Sequence, residues 1–182
     1  MKRLLIFCLA ATLAWVDVEP TRAQISRAHA SSPAVSEYKL KAVYVVKFLQ
    51  YVLLPENVST QSKICILGTL EPEKKAEFLS IISKATPKPD VSSISNVEEA
   101  KGCTVLFIAT SEDASVTQLL AALGGKPVLT ISDIQGFAQQ GGMVELPLVG
   151  ENVRFIVNKR SITQAGLSVN PELLRVAYSV IE

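Results

Sequence analysis

The amino-acid sequence predicts an α/β fold: a mostly parallel sheet flanked by helices, with an antiparallel C-terminal hairpin at one edge. Short apolar runs alternate with amphipathic stretches, as where the run at 63–68 precedes the helical pattern at 73–84. Strands that are apolar throughout are typical of parallel sheets covered on both faces. In the last third, two strand-like segments are separated by only Val149-Gly150-Glu151, which is short enough for a hairpin.

The chain begins with the features of a secretory signal peptide. Lys2 and Arg3 precede a mostly apolar run at 4–16, and small residues follow up to position 30. That run has about 13 residues, whereas a helix needs about 20 to span a bilayer; a retained anchor is the alternative. We therefore predict a signal peptide and flexible leader over 1–30, cleaved after Ala23 or Ala30, and a single exported domain over 31–182.

Charge and composition exclude several classes of function. The chain has 18 basic and 17 acidic residues and no basic block, which argues against nucleic acid as a partner. Its one histidine, His29, lies in the predicted leader, so the domain has no Ser-His or Cys-His pair and no histidine-based metal site. We therefore predict that the protein is not an enzyme and uses no cofactor or metal ion.

The predicted domain opens with a helix that begins near Glu37 and is stopped by Pro55. Spacing predicts that its inward face is Leu40, Val43, Tyr44, Lys47, Phe48 and Tyr51. Strands are predicted at 63–68, 91–94, 104–109 and 128–131, and helices at 73–84 and 114–123. Asn96 is placed to cap a short helical turn.

The final third departs from this alternation. The segments 143–148 and 152–158 are predicted to form the two strands of the hairpin. Asn170 followed by Pro171 indicates the start of a last helix, whose inward face would continue to Ile181.

Polar residues follow several predicted strands, where an open α/β sheet leaves a crevice. The residues there are Gly68-Thr69, Thr110-Ser111 and Ser132-Asp133. A small anion or nucleotide bound in this crevice is the alternative to ordinary turn chemistry, in which Asp bonds its own backbone and Gly supplies positive φ. We interpret the polar and glycine residues of 133–142 as turn-forming.

Two cysteines, Cys65 and Cys103, remain after the predicted cleavage. An even pair in an oxidising compartment predicts a disulfide. Two buried free thiols, each behaving as a small apolar side chain, are the alternative.

Five segments in order resemble the YfiR family of periplasmic proteins, over about Tyr38 to Ile181. They are KAVYVVKFLQYVLLP, KICILG, KGCTVLFIATSE, PVLTISDIQGFAQQGGMVEL and VRFIVNKRSITQAGLSVNPELLRVAYSV. The residues that carry the resemblance, which we expect to be structural, are Asp133, Gly136, Phe137, Gly141, Gly142, Arg154, Phe155, Asn158, Gly166 and Leu167.

The resemblance implies a non-enzymatic periplasmic regulator. Its expected partner is the periplasmic domain of an inner-membrane diguanylate cyclase or sensor kinase, and repression of a cyclase would lower cyclic di-GMP and disfavour biofilm. A peptidoglycan-associated outer-membrane lipoprotein is a second expected partner, and a homodimer is an assembly that the resemblance leaves open. The alternative function is a periplasmic small-ligand-binding module that uses the crevice at the C-terminal edge of the sheet.

The resemblance also bears on the cysteines. Cys65 and Cys103 fall where the principal disulfide of the family lies. The family's best-known members have a second cysteine pair in the C-terminal third, which this chain does not have. The resemblance therefore implies a structural role for a single disulfide rather than redox control.

Overall fold

The computed structural model describes residues 36–53, 55 and 62–182 of the chain. The predicted signal peptide and leader over 1–30, with both cleavage sites, lie outside these residues. All described residues belong to one compact unit, Pro33–Glu182. The boundary at residue 30 stays a prediction.

The described residues contain α-helices and strands in alternation through most of the chain. The α-helices are α1 Glu37–Tyr51, α2 Pro72–Ile82, α3 Val116–Leu123, α4 Lys159–Gln164 and α5 Pro171–Arg175. Two 3₁₀ helices span Val97–Gly102 and Thr110–Ser115. The strands are β1 Val52–Leu53, β2 Lys63–Leu67, β3 Asp90–Ile94, β4 Val105–Ile108, β5 Leu129–Ser132, β6 Val144–Glu145, β7 Leu148–Val149, β8 Asn152–Val153, β9 Ile156–Asn158, β10 Ser168–Val169 and β11 Ser179–Ile181.

Seven strands form the central sheet, in the order β11-β9-β6-β5-β4-β2-β3. The five strands from β3 to β6 are parallel, β9 pairs antiparallel to β6, and β11 pairs parallel to β9. Helices cover the sheet, and β7 and β8 form a separate antiparallel pair. The predicted fold class, a mostly parallel α/β sheet with an antiparallel hairpin, is therefore confirmed.

Each face of the sheet has its own hydrophobic core. On one face, α1 and α2 pack on the sheet, with Phe78 and Phe107 in ring contact at 4.8 Å between centroids. On the other, α3 and both cysteines pack around Phe137. Burial on both faces explains why the central strands β2 and β4 are almost entirely apolar.

Helix α1 forms where the sequence predicts it, but the predicted inward face is only partly right: Leu40, Tyr44 and Tyr51 pack at the margin of the core. Lys47 is exposed, and of the predicted set only Phe48 is fully buried. The buried stripe instead consists of Tyr38, Lys41, Ala42, Val45 and Phe48. Apolar residues surround most of this helix, so spacing alone does not distinguish two adjacent stripes, and the sheet decides between them.

The hairpin has a single register that Pro147 interrupts. Val144 pairs with Val157 and Leu148 with Val153, so both short ladders follow the same alignment. A proline cannot donate a ladder hydrogen bond. Glu145 lies beside Ser132, the last residue of β5, so the 148–153 tip projects beyond the C-terminal edge of the sheet.

The last predicted helix is shorter than expected. Helix α5 ends at Arg175, and Ser179–Ile181 forms the edge strand β11 rather than a helical face. The Tyr178 N–H donates to the Phe155 carbonyl at 2.9 Å, which starts this pairing. The β-branched Val180 and Ile181 suit a strand once a partner strand is available.

Cys65 in β2 and Cys103 just before β4 are joined by a disulfide, with Cα atoms 5.9 Å apart. Both cysteines are buried in the core beneath α3. This pairing agrees with the predicted disulfide rather than with two free thiols.

Candidate functional site

The crevice at the C-terminal edge of the sheet is built by three strand ends. Strand β2 lies between β3 and β4, so the chain leaves the sheet in opposite directions at this point. The loops after β2 and β4 approach closely, since the Thr69 N–H donates to Ser111 Oγ at 2.8 Å. Gly68 has a φ of +89°, and a Cβ there would lie 2.6 Å from Ser111 Oγ, so the close approach needs glycine.

Asp133 occupies the centre of this crevice and is fully bonded within the protein. Its Oδ2 accepts hydrogen bonds from Tyr38 Oη at 2.8 Å and Lys41 Nζ at 2.6 Å. Its Oδ1 accepts from Thr110 Oγ1 at 2.9 Å. We call Tyr38, Lys41, Thr110 and Asp133 the Asp133 cluster; it fastens the first turns of α1 to the ends of β4 and β5.

The ion pair in this cluster is buried. The Lys41 and Asp133 side chains are 4% and 5% exposed, and Lys41 also pairs with Glu37 one turn earlier. Burial alone would raise the pKa of the Asp133 carboxyl, but the charge of Lys41 and the hydrogen bonds from Lys41, Tyr38 and Thr110 outweigh it and hold that pKa below its usual range. Burial, together with the negative charge of Asp133, raises the pKa of Tyr38 well above its ordinary value.

The Asp133 cluster therefore has a structural role, holding α1 against the ends of β4 and β5, rather than a reactive one. The lysine and both hydroxyls that face the carboxylate already donate to it, so the prediction of a ligand-binding crevice gains no support from this arrangement. Sequence reasoning singled out Asp133 but missed Lys41. The signal that could have found Lys41 is the stripe at 38, 41, 45 and 48, which has helical spacing.

The turn after Asp133 closes around a second buried carboxylate. Glu145 accepts from the Gly136 N–H at 3.0 Å and from the Ala138 N–H at 3.1 Å. Asn158 reaches the same turn, donating from Nδ2 to the Ala138 carbonyl at 2.8 Å. Its Oδ1 accepts from the Ser161 N–H at 2.9 Å and so caps α4. Glu145 was not predicted from sequence, because nothing local marks it as buried.

The four glycines that carry the family resemblance are required for different reasons. Gly136 and Gly141 have φ values of +74° and +101°, which favour glycine. A Cβ on Gly142 would lie 2.2 Å from the ring of Phe137, so this position is fixed by contact instead. Gly166 has a φ of +71° in the turn after α4, just before the buried Leu167.

Arg154 and Phe155 separate the two ladders of the hairpin. The Phe155 ring contacts Tyr44 and Phe48 of α1, each at 5.3 Å between centroids. Arg154 is exposed, and its N–H donates to the Pro147 carbonyl at 2.9 Å. Of the residues that carry the resemblance, Phe137 lies in the core on one face of the sheet, Phe155 and Leu167 lie in the core on the other, and Arg154 lies on the surface.

Four exposed apolar residues lie in the hairpin tip and just before β11. They are Leu148 and Val149 of the tip with Val176 and Tyr178, and we call them the tip surface. Leu148 pairs with Val153 on one side of the 153–155 segment, while Tyr178 bonds to Phe155 on the other. Clustered exposed apolar side chains mark interaction sites more often than isolated ones.

Fold and site together define an α/β scaffold whose C-terminal crevice is closed by its own first helix and whose hairpin presents an apolar surface. Residues 38–178 match the model of the YfiR/HmsC-like family, and the chain belongs to that family.

Two solved structures resemble this fold. A conserved domain protein from Vibrio cholerae O1 biovar El Tor has a TM-score of 0.58 at 9% identity, covering 79% of this chain and 60% of its own. The ABC domain from Streptococcus pneumoniae, solved with L-Trp, has a TM-score of 0.55 at 13% identity, covering 75% and 59%. The chain thus spans about three fifths of either protein, and the likeness concerns the fold alone.

Residues 36–53 and 62–182 contain neither a candidate membrane span nor a candidate metal site. None of the helices there is long and apolar enough to cross a membrane. Within the same residues, no group of three or more His, Cys, Asp or Glu side chains could hold a metal ion.

Proposed function

We propose that this protein is a periplasmic regulator that represses a membrane-bound signalling enzyme by protein–protein contact. The partner is the periplasmic domain of a diguanylate cyclase, so repression lowers cyclic di-GMP and restrains biofilm. A sensor kinase is the alternative partner within this function. The observation that carries the proposal is the family match over residues 38–178.

The tip surface supports contact as the mode of action. Leu148 is an apolar residue that pairs with the buried Val153, yet it is 52% exposed. Val176 and Tyr178 add exposed apolar area from the segment that precedes β11, and Arg154 is an exposed charge on the hairpin. Tyrosine and arginine, here Tyr178 and Arg154, are among the residue types enriched at protein interfaces.

Deleting the gene and measuring cyclic di-GMP tests the proposal. We expect the level to rise, because the cyclase loses its repressor. Overexpressing a peptidoglycan-associated outer-membrane lipoprotein that sequesters the regulator should raise it as well. An unchanged level in the deletion strain in every growth condition would contradict the cyclase version.

Leu148→Asp tests the tip surface as the contact. A charge at the centre of an apolar contact must be desolvated, so we expect the variant to fold normally and to repress no longer. Leu53→Asp is the matched control, since Leu53 is 63% exposed but lies on β1, paired with β10. Melting temperatures of both variants show that they fold. Equal repression by both variants would exclude the tip surface.

A further inference from the structure

A groove of about 380 Å³ runs beside the edge strand β3, on the side covered by α2. Its floor is apolar and formed by Ile66, Leu79 and Val91. Its volume falls within the range of about 300–1,000 Å³ that small-molecule sites occupy. The groove is separate from the Asp133 cluster and from the tip surface.

One end of the groove concentrates hydrogen-bond donors. Lys75 Nζ donates to Ser93 Oγ at 3.0 Å, which leaves the hydroxyl proton of Ser93 free to donate to a ligand. Neither Lys75 nor Lys88, at the other end, forms an ion pair with the described part of the chain. The ammonium and hydroxyl thus present adjacent donors beside an apolar floor.

The backbone of β3 adds a donor at the same end. In the described part of the chain β3 is the outermost strand, and the Asp90 N–H donates inward to the Ser62 carbonyl at 2.9 Å. Backbone groups alternate in direction along a parallel strand, so those of Val91 and Ser93 point outward. The Ser93 N–H, the Ser93 hydroxyl and the Lys75 ammonium are therefore neighbouring donors.

We propose that this groove binds a small monocarboxylate with an apolar body. The carboxylate accepts from Lys75 and Ser93, and the hydrocarbon part lies over Leu79 and Val91 toward Lys88. A carboxylate is favoured because it accepts charge-assisted hydrogen bonds from several donors at once. Asp90 borders the far end, so a second negative charge on the ligand would be disfavoured there. The proposal does not depend on the proposed function.

The test uses octanoate as the probe on the mature protein, with binding followed by calorimetry and by backbone amide shifts. We expect weak, saturable binding with shifts centred on Val91 and Ser93. Each buried methylene changes affinity by about fourfold, so hexanoate, which is two methylenes shorter, should bind about 15-fold more weakly than octanoate. Octylammonium has the same body and the opposite charge, and it should not bind in the groove.

Lys75→Gln should weaken octanoate binding about five- to tenfold, because it removes the charged donor. Lys74→Gln is the matched control: it is the neighbouring lysine, but it pairs with Glu71 and does not line the groove. Octanoate affinity should be unchanged in that variant. The proposal is overturned if octanoate does not bind, if octylammonium binds equally, if the shifts map elsewhere, or if both variants behave alike.

Discussion

Replacing Lys41 by methionine removes the ammonium group of the Asp133 cluster and keeps most of the apolar stem. Lys41 and Asp133 are both buried and lie 2.6 Å apart, so the variant leaves a buried carboxylate with only the hydroxyls of Tyr38 and Thr110 as donors. Removing one partner of a buried pair costs about 3–5 kcal/mol. Because two donors remain, we expect the free energy of unfolding to fall by about 3 kcal/mol.

Asp133→Asn should cost less than Lys41→Met. The asparagine still accepts hydrogen bonds, and Lys41 keeps its ion pair with Glu37. We expect a loss of about 2 kcal/mol, the value of a hydrogen bond to a charged group. The double variant removes both charges, so its loss should be smaller than the sum of the single losses by about 1–3 kcal/mol.

Lys39→Met is the control for these variants. Lys39 lies on the same helix but is 43% exposed, with a 3.8 Å contact to Glu77. An exposed pair of this kind contributes about 0–1 kcal/mol. Urea denaturation followed by circular dichroism gives all four values. Equal losses for Lys41→Met and Lys39→Met, or strict additivity in the double variant, would refute a coupled buried pair.

The same cluster makes stability depend on pH at both extremes. The lowered pKa of Asp133 contributes stability that is complete above the ordinary carboxyl pKa of about 4 and is lost as pH falls through the lower folded value. The raised pKa of Tyr38 contributes stability below about pH 10 that is lost as pH rises further. Asp133→Asn should therefore flatten the acid limb of unfolding free energy against pH; an unchanged limb would assign it to other carboxylates.

Two further predictions concern the disulfide and the turn. A thiol assay on unfolded, unreduced mature protein should detect no free cysteine; two free thiols would exclude the bridge. Reduction should lower the free energy of unfolding by about 4 kcal/mol, because Cys65 and Cys103 are 38 residues apart. Gly142→Ala should lower the free energy of unfolding, measured by urea denaturation, by about 1–3 kcal/mol, because its Cβ would lie 2.2 Å from the Phe137 ring. Gly102→Ala is the control and should be near neutral, since nothing lies within 4 Å of a Cβ there. Equal effects of the two substitutions would contradict the steric explanation.

Local patterns in the sequence were sufficient for most of the elements. The apolar runs at 63–67 and 105–108 are strands because both faces of a parallel sheet are covered. The prediction that Asn96 caps a short helix is confirmed, with its side chain accepting from the Glu99 N–H at 3.2 Å. Such features depend on neighbours in sequence, so they can be predicted without the fold.

Features that depend on distant partners could not be predicted in this way. A lysine on an apolar helix indicates a solvent-facing position, but Lys41 is buried because it pairs with Asp133. That partner follows β5 and lies 92 residues away in sequence. Glu145 is buried because the 136–138 turn folds back to donate to it. The residues after Arg175 form a strand rather than a helix because β9 offers them an edge.

The sequence by itself determined the fold class, the alternation of strands and helices, and the family to which the chain belongs. Only the tertiary structure decided which stripe of α1 faces inward, what fills the crevice, and which apolar residues stay exposed at the hairpin tip. The physical reason is that hydrophobic periodicity specifies which residues prefer burial. The pairing of charges, and the strand edges left open, are set by contacts between segments far apart in the chain.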